Sequence, residues 1–112
     1  MVNVKINGAL HPATIAGKMM DRDWNDRESK AITLEMTAEE AKALFVDDVV
    51  WFIVYEATQE DGSVVTEEYD NSDYCLAGSV TDHRDGTVTV KMGKRTDGEM
   101  LAELMEVLND EE

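Results

Sequence analysis

Several features typical of small exported or membrane-bound proteins are missing from this sequence. Its 112 residues include one cysteine, Cys75, so an internal disulfide cannot form and a reducing compartment is the simpler expectation. No apolar run approaches the roughly 18 residues of a membrane-spanning helix. The stretch from Met1 to Leu10 alternates polar and apolar residues instead of resembling an export signal. We therefore expect a cytoplasmic protein without a membrane partner.

Basic residues are also scarce. The chain has 10 Lys and Arg against 25 Asp and Glu, which gives a formal net charge of −15. Such a surface repels the phosphates of nucleic acids and of anionic lipids, so we expect no direct binding of nucleic acid. Two interpretations of the charge stay open. It keeps a soluble protein dispersed, or it makes the protein an acidic decoy that inhibits a basic nucleic-acid-binding protein.

The first half of the sequence predicts a β-hairpin, a further strand and a helix. Val2 to Ile6 alternates in polarity and is followed by Asn7-Gly8, a strong hairpin signal, while Pro12 in the second arm predicts a sheet edge or a bulge. After a polar loop over Asp21 to Ser29, alternation resumes in a strand from Ile32 to Met36. Thr37 to Glu40 forms a capping box that starts a short helix.

The second half predicts four strands and another helix. Val49 to Tyr55 is continuously apolar, which suits a strand near the middle of the sheet. Turn residues separate it from the three strands that complete a four-strand meander. These are Val64 to Asp70, Tyr74 to Thr81 and Thr87 to Gly93. A second capping box, Thr96 to Glu99, precedes an apolar stripe expected to cover the sheet. The stripe comprises Met100, Leu101, Leu104, Met105 and Leu108.

Together these elements predict one α+β domain over residues 1–108, with a frayed acidic tail at 109–112. Its order is hairpin, strand, helix, four-strand meander and C-terminal helix. The antiparallel sheet has six to seven strands, with both helices packed on it. A curved open sheet and a partly closed barrel would give the same pattern, so the closure stays open.

The polar loop after the hairpin partly matches a calcium-binding loop. Asp21, Asp23 and Asn25 supply oxygen ligands at its first, third and fifth positions. The match ends there, because the sixth position requires Gly and has Asp26, and the twelfth requires Glu and has Ile32. We therefore favour a solvated loop, whose carboxylates Arg22 and Arg27 neutralise without a metal, over the alternative of an irregular cation site.

No residue set predicts catalysis. Cys75 has no cation or helix N-terminus next to it in sequence, and His11 and His83 are distant from it, so we interpret it as a small buried residue. Glu67 and Glu68 should point to opposite faces of a strand and cannot form a catalytic pair. Phosphate-binding, hydrolase and metalloprotease motifs are missing. We predict that the protein is not an enzyme and has no cofactor, with a small hydrolase as the least favoured alternative.

Five residues are candidates for an interface. Trp24 lies in a polar loop between Arg22 and Arg27, where it either tucks under the loop or projects as an interface anchor, since Trp and Arg are enriched in such anchors. Tyr69 and Tyr74, around the predicted turn at 70–73, form a second candidate group.

Two stretches carry a resemblance to a known group of proteins. Asp21 to Thr37 reads DRDWNDRESKAITLEMT, and Glu68 to Lys94 reads EYDNSDYCLAGSVTDHRDGTVTVKMGK. They resemble small uncharacterised proteins encoded in the structural, tail-region genes of prophages in Gram-positive gut bacteria. The resemblance extends over most of the chain and implies a setting in the bacterial cytoplasm or the virion. It implies binding to phage structural proteins or to further copies of the chain, and it supplies no active site.

Overall fold

The structure is a computed structural model that describes residues 2–24 and 26–110. Within these ranges, the side chains of Lys18, Met19, Asp23, Asp97, Glu103 and residues 106–110 are not described. The elements are strands β1 (Val2–Ile6), β2 (Ala9–Asp21), β3 (Arg27–Leu34), helix α1 (Ala38–Leu44), strands β4 (Trp51–Thr58), β5 (Val64–Asp70), β6 (Leu76–Asp82), β7 (Val88–Gly93) and helix α2 (Asp97–Asp110). A short 3-10 turn, Arg22–Trp24, separates β2 from β3.

The predicted α+β class with an antiparallel sheet is confirmed. The strands follow the order β5-β4-β1-β2-β3-β7-β6, and each neighbouring pair is antiparallel. Asn7 and Gly8, with φ of 53° and 79°, form the tight turn of the predicted first hairpin. The predicted polar loop is shorter than expected, because β2 runs to Asp21 and β3 begins at Arg27.

The predicted four-strand meander is wrong. Strands β4 and β5 form one hairpin and β6 and β7 form another, but the two hairpins lie at opposite ends of the strand order. Asn71, the first residue of the connection between them, continues the pairing of the β4–β5 hairpin. Its backbone N–H donates to the Trp51 carbonyl oxygen at 2.9 Å, and its side chain donates to the Tyr69 carbonyl oxygen at 3.0 Å. Strand β4 therefore lies next to the edge strand, not in the middle of the sheet.

Strand β2 joins the two halves of the sheet. Its first part pairs with β1 as far as Pro12, and its second part pairs with β3 from Ala13 onwards. The expected irregularity at Pro12 is this change of partner, and Pro12 itself remains in register with Asn3. The bulge falls further along, between Ala16 and Met19.

The sheet folds over on itself and encloses the core. Buried side chains of β1 and β4 share one hydrophobic cluster with those of β3 and β7, although these strand pairs are not neighbours in the sheet. The cluster includes Val4, Ile6, Trp51 and Ile53 on one side and Ile32, Leu34, Val88, Val90 and Met92 on the other. Strands β5 and β6 do not pair with each other among the described residues, so the sheet is open and the partly closed barrel is wrong.

Helix α1 covers one end of this core. The Thr37 hydroxyl accepts a hydrogen bond from the backbone N–H of Glu40 at 3.1 Å, so the predicted start of the helix is confirmed. Ala41 is fully buried, and Phe45 contacts Trp51 edge to face with ring centroids 6.0 Å apart. This helix packs on the sheet as predicted.

Helix α2 does not pack as predicted. Its capping box is confirmed, because the Glu99 N–H donates to the Thr96 hydroxyl at 3.2 Å and the Thr96 N–H donates to the Glu99 carboxylate at 2.8 Å. Its described apolar side chains are nevertheless exposed; they are Met100, Leu101, Leu104 and Met105. The inner face of the sheet is already covered by its own facing half and by α1, which leaves no apolar face there for α2. The side chain of Leu108 lies outside the described side chains. Of the predicted frayed tail at 109–112, residues 109–110 continue α2, and residues 111–112 lie outside the described residues.

Candidate functional site

A cleft lies between the β4–β5 hairpin and β3, beside the segment 71–75 that connects β5 to β6. This segment contributes Asn71, Asp73 and Tyr74 to its lining. The cleft has a volume of about 650 Å³. It is lined by Lys30, Ile53, Tyr55, Glu67, Tyr69, Asp70, Asn71, Asp73, Tyr74 and Lys94. We call it the tyrosine cleft.

Tyr74 forms the inner wall of the tyrosine cleft. Its ring is buried, and its hydroxyl donates to the Glu28 carboxylate at 2.6 Å. The ammonium groups of Lys30 and Lys94 lie 4.5 and 4.9 Å from the ring centroid, within the range of a cation–π interaction. Burial, together with the hydrogen bond to Glu28, raises the pKa of Tyr74 to about 12.

The outer wall of the tyrosine cleft is formed by two exposed tyrosines on β4 and β5. Tyr55 and Tyr69 meet edge to face, with ring centroids 5.6 Å apart. The Tyr69 hydroxyl donates to the Glu67 carboxylate at 2.6 Å, and this hydrogen bond raises the pKa of Tyr69. Glu67 and Tyr69 share one face of β5, whereas Glu68 reaches Lys5 at 2.9 Å on the other face. The predicted opposite orientation of Glu67 and Glu68 is confirmed.

Both lysines of the tyrosine cleft are engaged. Lys30 donates to the Asn71 side-chain oxygen at 2.5 Å. Lys94 lies 3.1 Å from the Glu28 carboxylate and 3.2 Å from that of Asp73, and the hydrogen bond to Glu28 raises the pKa of Lys94. The outer wall of the cleft therefore presents the rings of Tyr55 and Tyr69 beside the Glu67 carboxylate. At the inner wall, both lysines are already bonded to side chains of this chain.

Trp24 lies on the opposite, outer face of the β3–β7–β6 half. Its ring lies over Gly78 and Gly93, where an added Cβ atom would approach ring carbons to between 2.7 and 3.0 Å. The Arg27 guanidinium lies 4.9 Å from the ring centroid. Trp24 is thus half-buried against glycines, which corresponds to the tucked alternative, while Arg22 is exposed at the start of the same 3-10 turn.

Arg27 is a buried anchor and not an exposed loop residue. Its guanidinium contacts both carboxylate oxygens of Glu99 at 2.5 and 3.0 Å and donates to the Lys94 carbonyl oxygen at 2.7 Å. The hydrogen bond from Arg27 is the main cause that lowers the pKa of Glu99 to about 2. Arg27 was expected to neutralise the carboxylates of its own loop, but it attaches the first turn of α2 to the sheet instead.

The predicted loop carboxylate Asp21 is paired elsewhere. Its carboxylate lies 2.6 Å from the Lys91 ammonium, on the same outer face as Trp24. Asp26 has a φ of 56°, a left-handed conformation at the position where a calcium loop has glycine. Asp23 and Asn25, the other proposed oxygen ligands, lie outside the described side chains.

Cys75 has a cation beside it that the sequence does not reveal. The Arg95 guanidinium lies 2.8 Å from the Cys75 sulfur and 2.7 Å from the Asp48 carboxylate. The expectation that Cys75 lacks a neighbouring cation is therefore wrong, because residues distant in sequence meet at this point. Cys75 is buried, as expected.

The structure thus divides the five predicted interface residues into two groups. Tyr69 and Tyr74 belong to the tyrosine cleft, and Trp24 and Arg27 belong to the outer face, with Arg22 exposed beside them. Sequence reasoning missed Tyr55 and Lys30. The signal for Lys30 is its spacing of two and four residues from the buried Ile32 and Leu34, because residues at such intervals share one face of a strand. This spacing places a charged residue on the inner face of β3.

No protein-family model, curated protein or solved structure matches the chain. Within residues 2–24 and 26–110, none of the helices combines the length and apolar character needed to cross a membrane.

Proposed function

We propose that this protein is a phage structural or tail-assembly accessory protein that acts by binding another protein through helix α2. The observation that carries the binding role is the exposed apolar stripe of α2. Met100, Leu101, Leu104 and Met105 are 50%, 58%, 56% and 55% exposed and share one face of the helix at spacings of one, four and five residues. The phage setting is supported by the resemblance of the two stretches quoted above.

The charge on α2 indicates what its partner presents. Residues 97–112 contain seven Asp and Glu residues and no Lys or Arg. A second copy of the helix would bring like charges together, which opposes self-association. A partner groove with an apolar floor and Lys or Arg at its rim complements both the stripe and the acidic flanks. The attachment of α2 through the Arg27–Glu99 pair leaves the stripe directed away from the core.

Co-purification from a lysogen that carries the gene tests this proposal. Wild-type protein, the stripe variant Leu101→Ser/Leu104→Ser and the matched control Ala102→Ser, an exposed α2 position outside the stripe, would each be expressed with an affinity tag before induction. Mass spectrometry of the purified particles and of the captured complexes identifies the partner.

We expect tail-region proteins to co-purify with the wild type and with Ala102→Ser but not with the stripe variant. Circular dichroism of the three purified proteins should agree, since the changed side chains are exposed. Purified particles without the chain, together with no tail-region protein in any captured complex, would refute the proposal. Equal capture by the stripe variant would show that α2 is not the binding surface.

A further inference from the structure

We propose that the outer wall of the tyrosine cleft binds a lysine or arginine side chain carried by an extended segment of a partner protein, which adds as a further strand to the free edge of β5. The site does not depend on the binding role of α2, because its residues lie on the β4–β5 hairpin.

The outer wall has the chemistry of a cation site. Tyr55 and Tyr69 are 43% and 51% exposed, and they offer two aromatic rings at an angle of 75°. The Glu67 carboxylate lies beside them and accepts a hydrogen bond from the Tyr69 hydroxyl. A cationic side chain placed here gains attraction from the ring faces and from the carboxylate together.

The inner wall of the same cleft already holds cations in this manner. Lys30 and Lys94 both lie over the Tyr74 ring, and carboxylates of Glu28 and Asp73 compensate Lys94. Among the described side chains, by contrast, Glu67 forms no ion pair with a lysine or arginine of the chain. The outer wall thus repeats the arrangement of the inner wall, with the cation left to be supplied by a ligand.

The edge of β5 provides the means to carry that cation. In the described chain, β5 pairs with β4 alone, and all its residues are exposed. A row of unpaired backbone groups binds an extended peptide by strand addition. Val65 is 43% exposed and lies on the same face as Glu67 and Tyr69, so it can contact the aliphatic stem of a long cationic side chain.

Charge decides the kind of partner. The formal net charge of −15 attracts a basic segment and opposes the approach of a second copy of this chain. The occupant is therefore a basic segment of another protein.

Peptide titrations followed by NMR test the proposal. The probe is an acetylated and amidated peptide of alternating threonine and valine with one central arginine. Its control is the same peptide with norleucine in place of arginine, and arginine amide serves as the free cation. The protein variants are Tyr69→Ala and Glu67→Gln, with Glu68→Gln as the matched control because Glu68 is adjacent and points to the opposite face.

We expect the arginine peptide to shift the β5 amide signals and to bind more tightly than the norleucine peptide and arginine amide. Tyr69→Ala and Glu67→Gln should each weaken binding about two- to fivefold, the size of an exposed cation–π or ion-pair contact. Glu68→Gln should change the dissociation constant by less than about twofold.

Equal binding of the norleucine peptide would overturn the cation site. Equal binding of arginine amide would overturn strand addition, and an effect of Glu68→Gln as large as that of Glu67→Gln would reduce the contact to general charge attraction. The stripe variant of α2 should bind the peptide like the wild type. This comparison separates a failure at the cleft from a failure of the α2 proposal.

Discussion

The contact between Trp24 and the glycines beneath it leads to a prediction for Gly78→Ala. An added Cβ atom would lie 2.7 and 2.8 Å from carbons of the Trp24 ring and 3.1 Å from the Lys91 carbonyl oxygen. All three distances are shorter than ordinary van der Waals contact, so the ring or the strand must move. Overpacking of this kind costs about 1–3 kcal/mol of unfolding free energy.

Equilibrium urea unfolding measures this cost, and tryptophan fluorescence reports the displacement of the ring. Trp51 is fully buried, so a red shift of the emission of Gly78→Ala is attributed to Trp24. Gly98→Ala is the matched control, because the nearest atom to its added Cβ is the Thr96 hydroxyl oxygen at 4.0 Å. Since Gly98 lies in α2, this control should not lose stability and should gain about 0.5 kcal/mol from helix propensity.

A double-mutant cycle with Trp24→Ala identifies the group that is displaced. If the ring causes the penalty, Gly78→Ala should cost at least about 1 kcal/mol less in the Trp24→Ala background. A penalty of the same size in both backgrounds would assign it to the Lys91 carbonyl group. Wild-type stability and unchanged emission of Gly78→Ala would refute the placement of Trp24 over the glycine.

Three further predictions concern the connection between the hairpins, the cleft and the attachment of α2. Trp51→Phe should lower the unfolding free energy by about 2–4 kcal/mol in urea titrations, because it removes buried volume and the 3.0 Å hydrogen bond from the indole to the Tyr74 carbonyl oxygen. The pKa of Tyr74 is raised from 10.0 to about 12, so its contribution to stability is complete below pH 10 and is lost as the pH rises through 12. The unfolding free energy of Tyr74→Phe should lack this loss between pH 10 and 12. An identical pH dependence of the unfolding free energy in the wild type and Tyr74→Phe would contradict the prediction. The pKa of Glu99 is lowered from 4.5 to about 2, so the ion pair with Arg27 stabilises the attachment of α2 above pH 4.5 and is lost as the pH falls towards 2. In the wild type, amide hydrogen exchange in the first turn of α2 should accelerate over this pH range beyond its intrinsic pH dependence. The variant Glu99→Gln should exchange faster than the wild type already at pH 6. Equal protection of the wild type and Glu99→Gln at pH 6 would contradict the role of the Arg27–Glu99 pair.

Local signals in the sequence predicted the local structure well. Asn7-Gly8 gave the first hairpin turn, and the hydroxyls of Thr37 and Thr96 start the two helices as their spacing to Glu40 and Glu99 indicates. Each of these features is determined by residues within one turn of the chain.

Long-range pairing could not be predicted in this way. The residues around Asn71 have the composition of a tight turn. The strand order shows instead that the chain crosses from the β5 edge to the β6 edge, and Asn71 accepts a hydrogen bond from Lys30 of β3 on the way. The stripe of α2 likewise has helical periodicity, which indicates an apolar face but not what covers it. For Cys75 and Arg95, contact depends on the tertiary fold alone.

The change of partner within β2 has a consequence for the order in which the fold assembles. Strands β1, β2 and β3 are consecutive in the chain and can pair early through local contacts. The β4–β5 hairpin must then find β1, and the β6–β7 hairpin must find β3, each across a long loop of chain. The β1–β2–β3 unit thus acts as the template on which two separate hairpins dock, and a defect in β2, which joins β1 to β3, would separate the two docking edges.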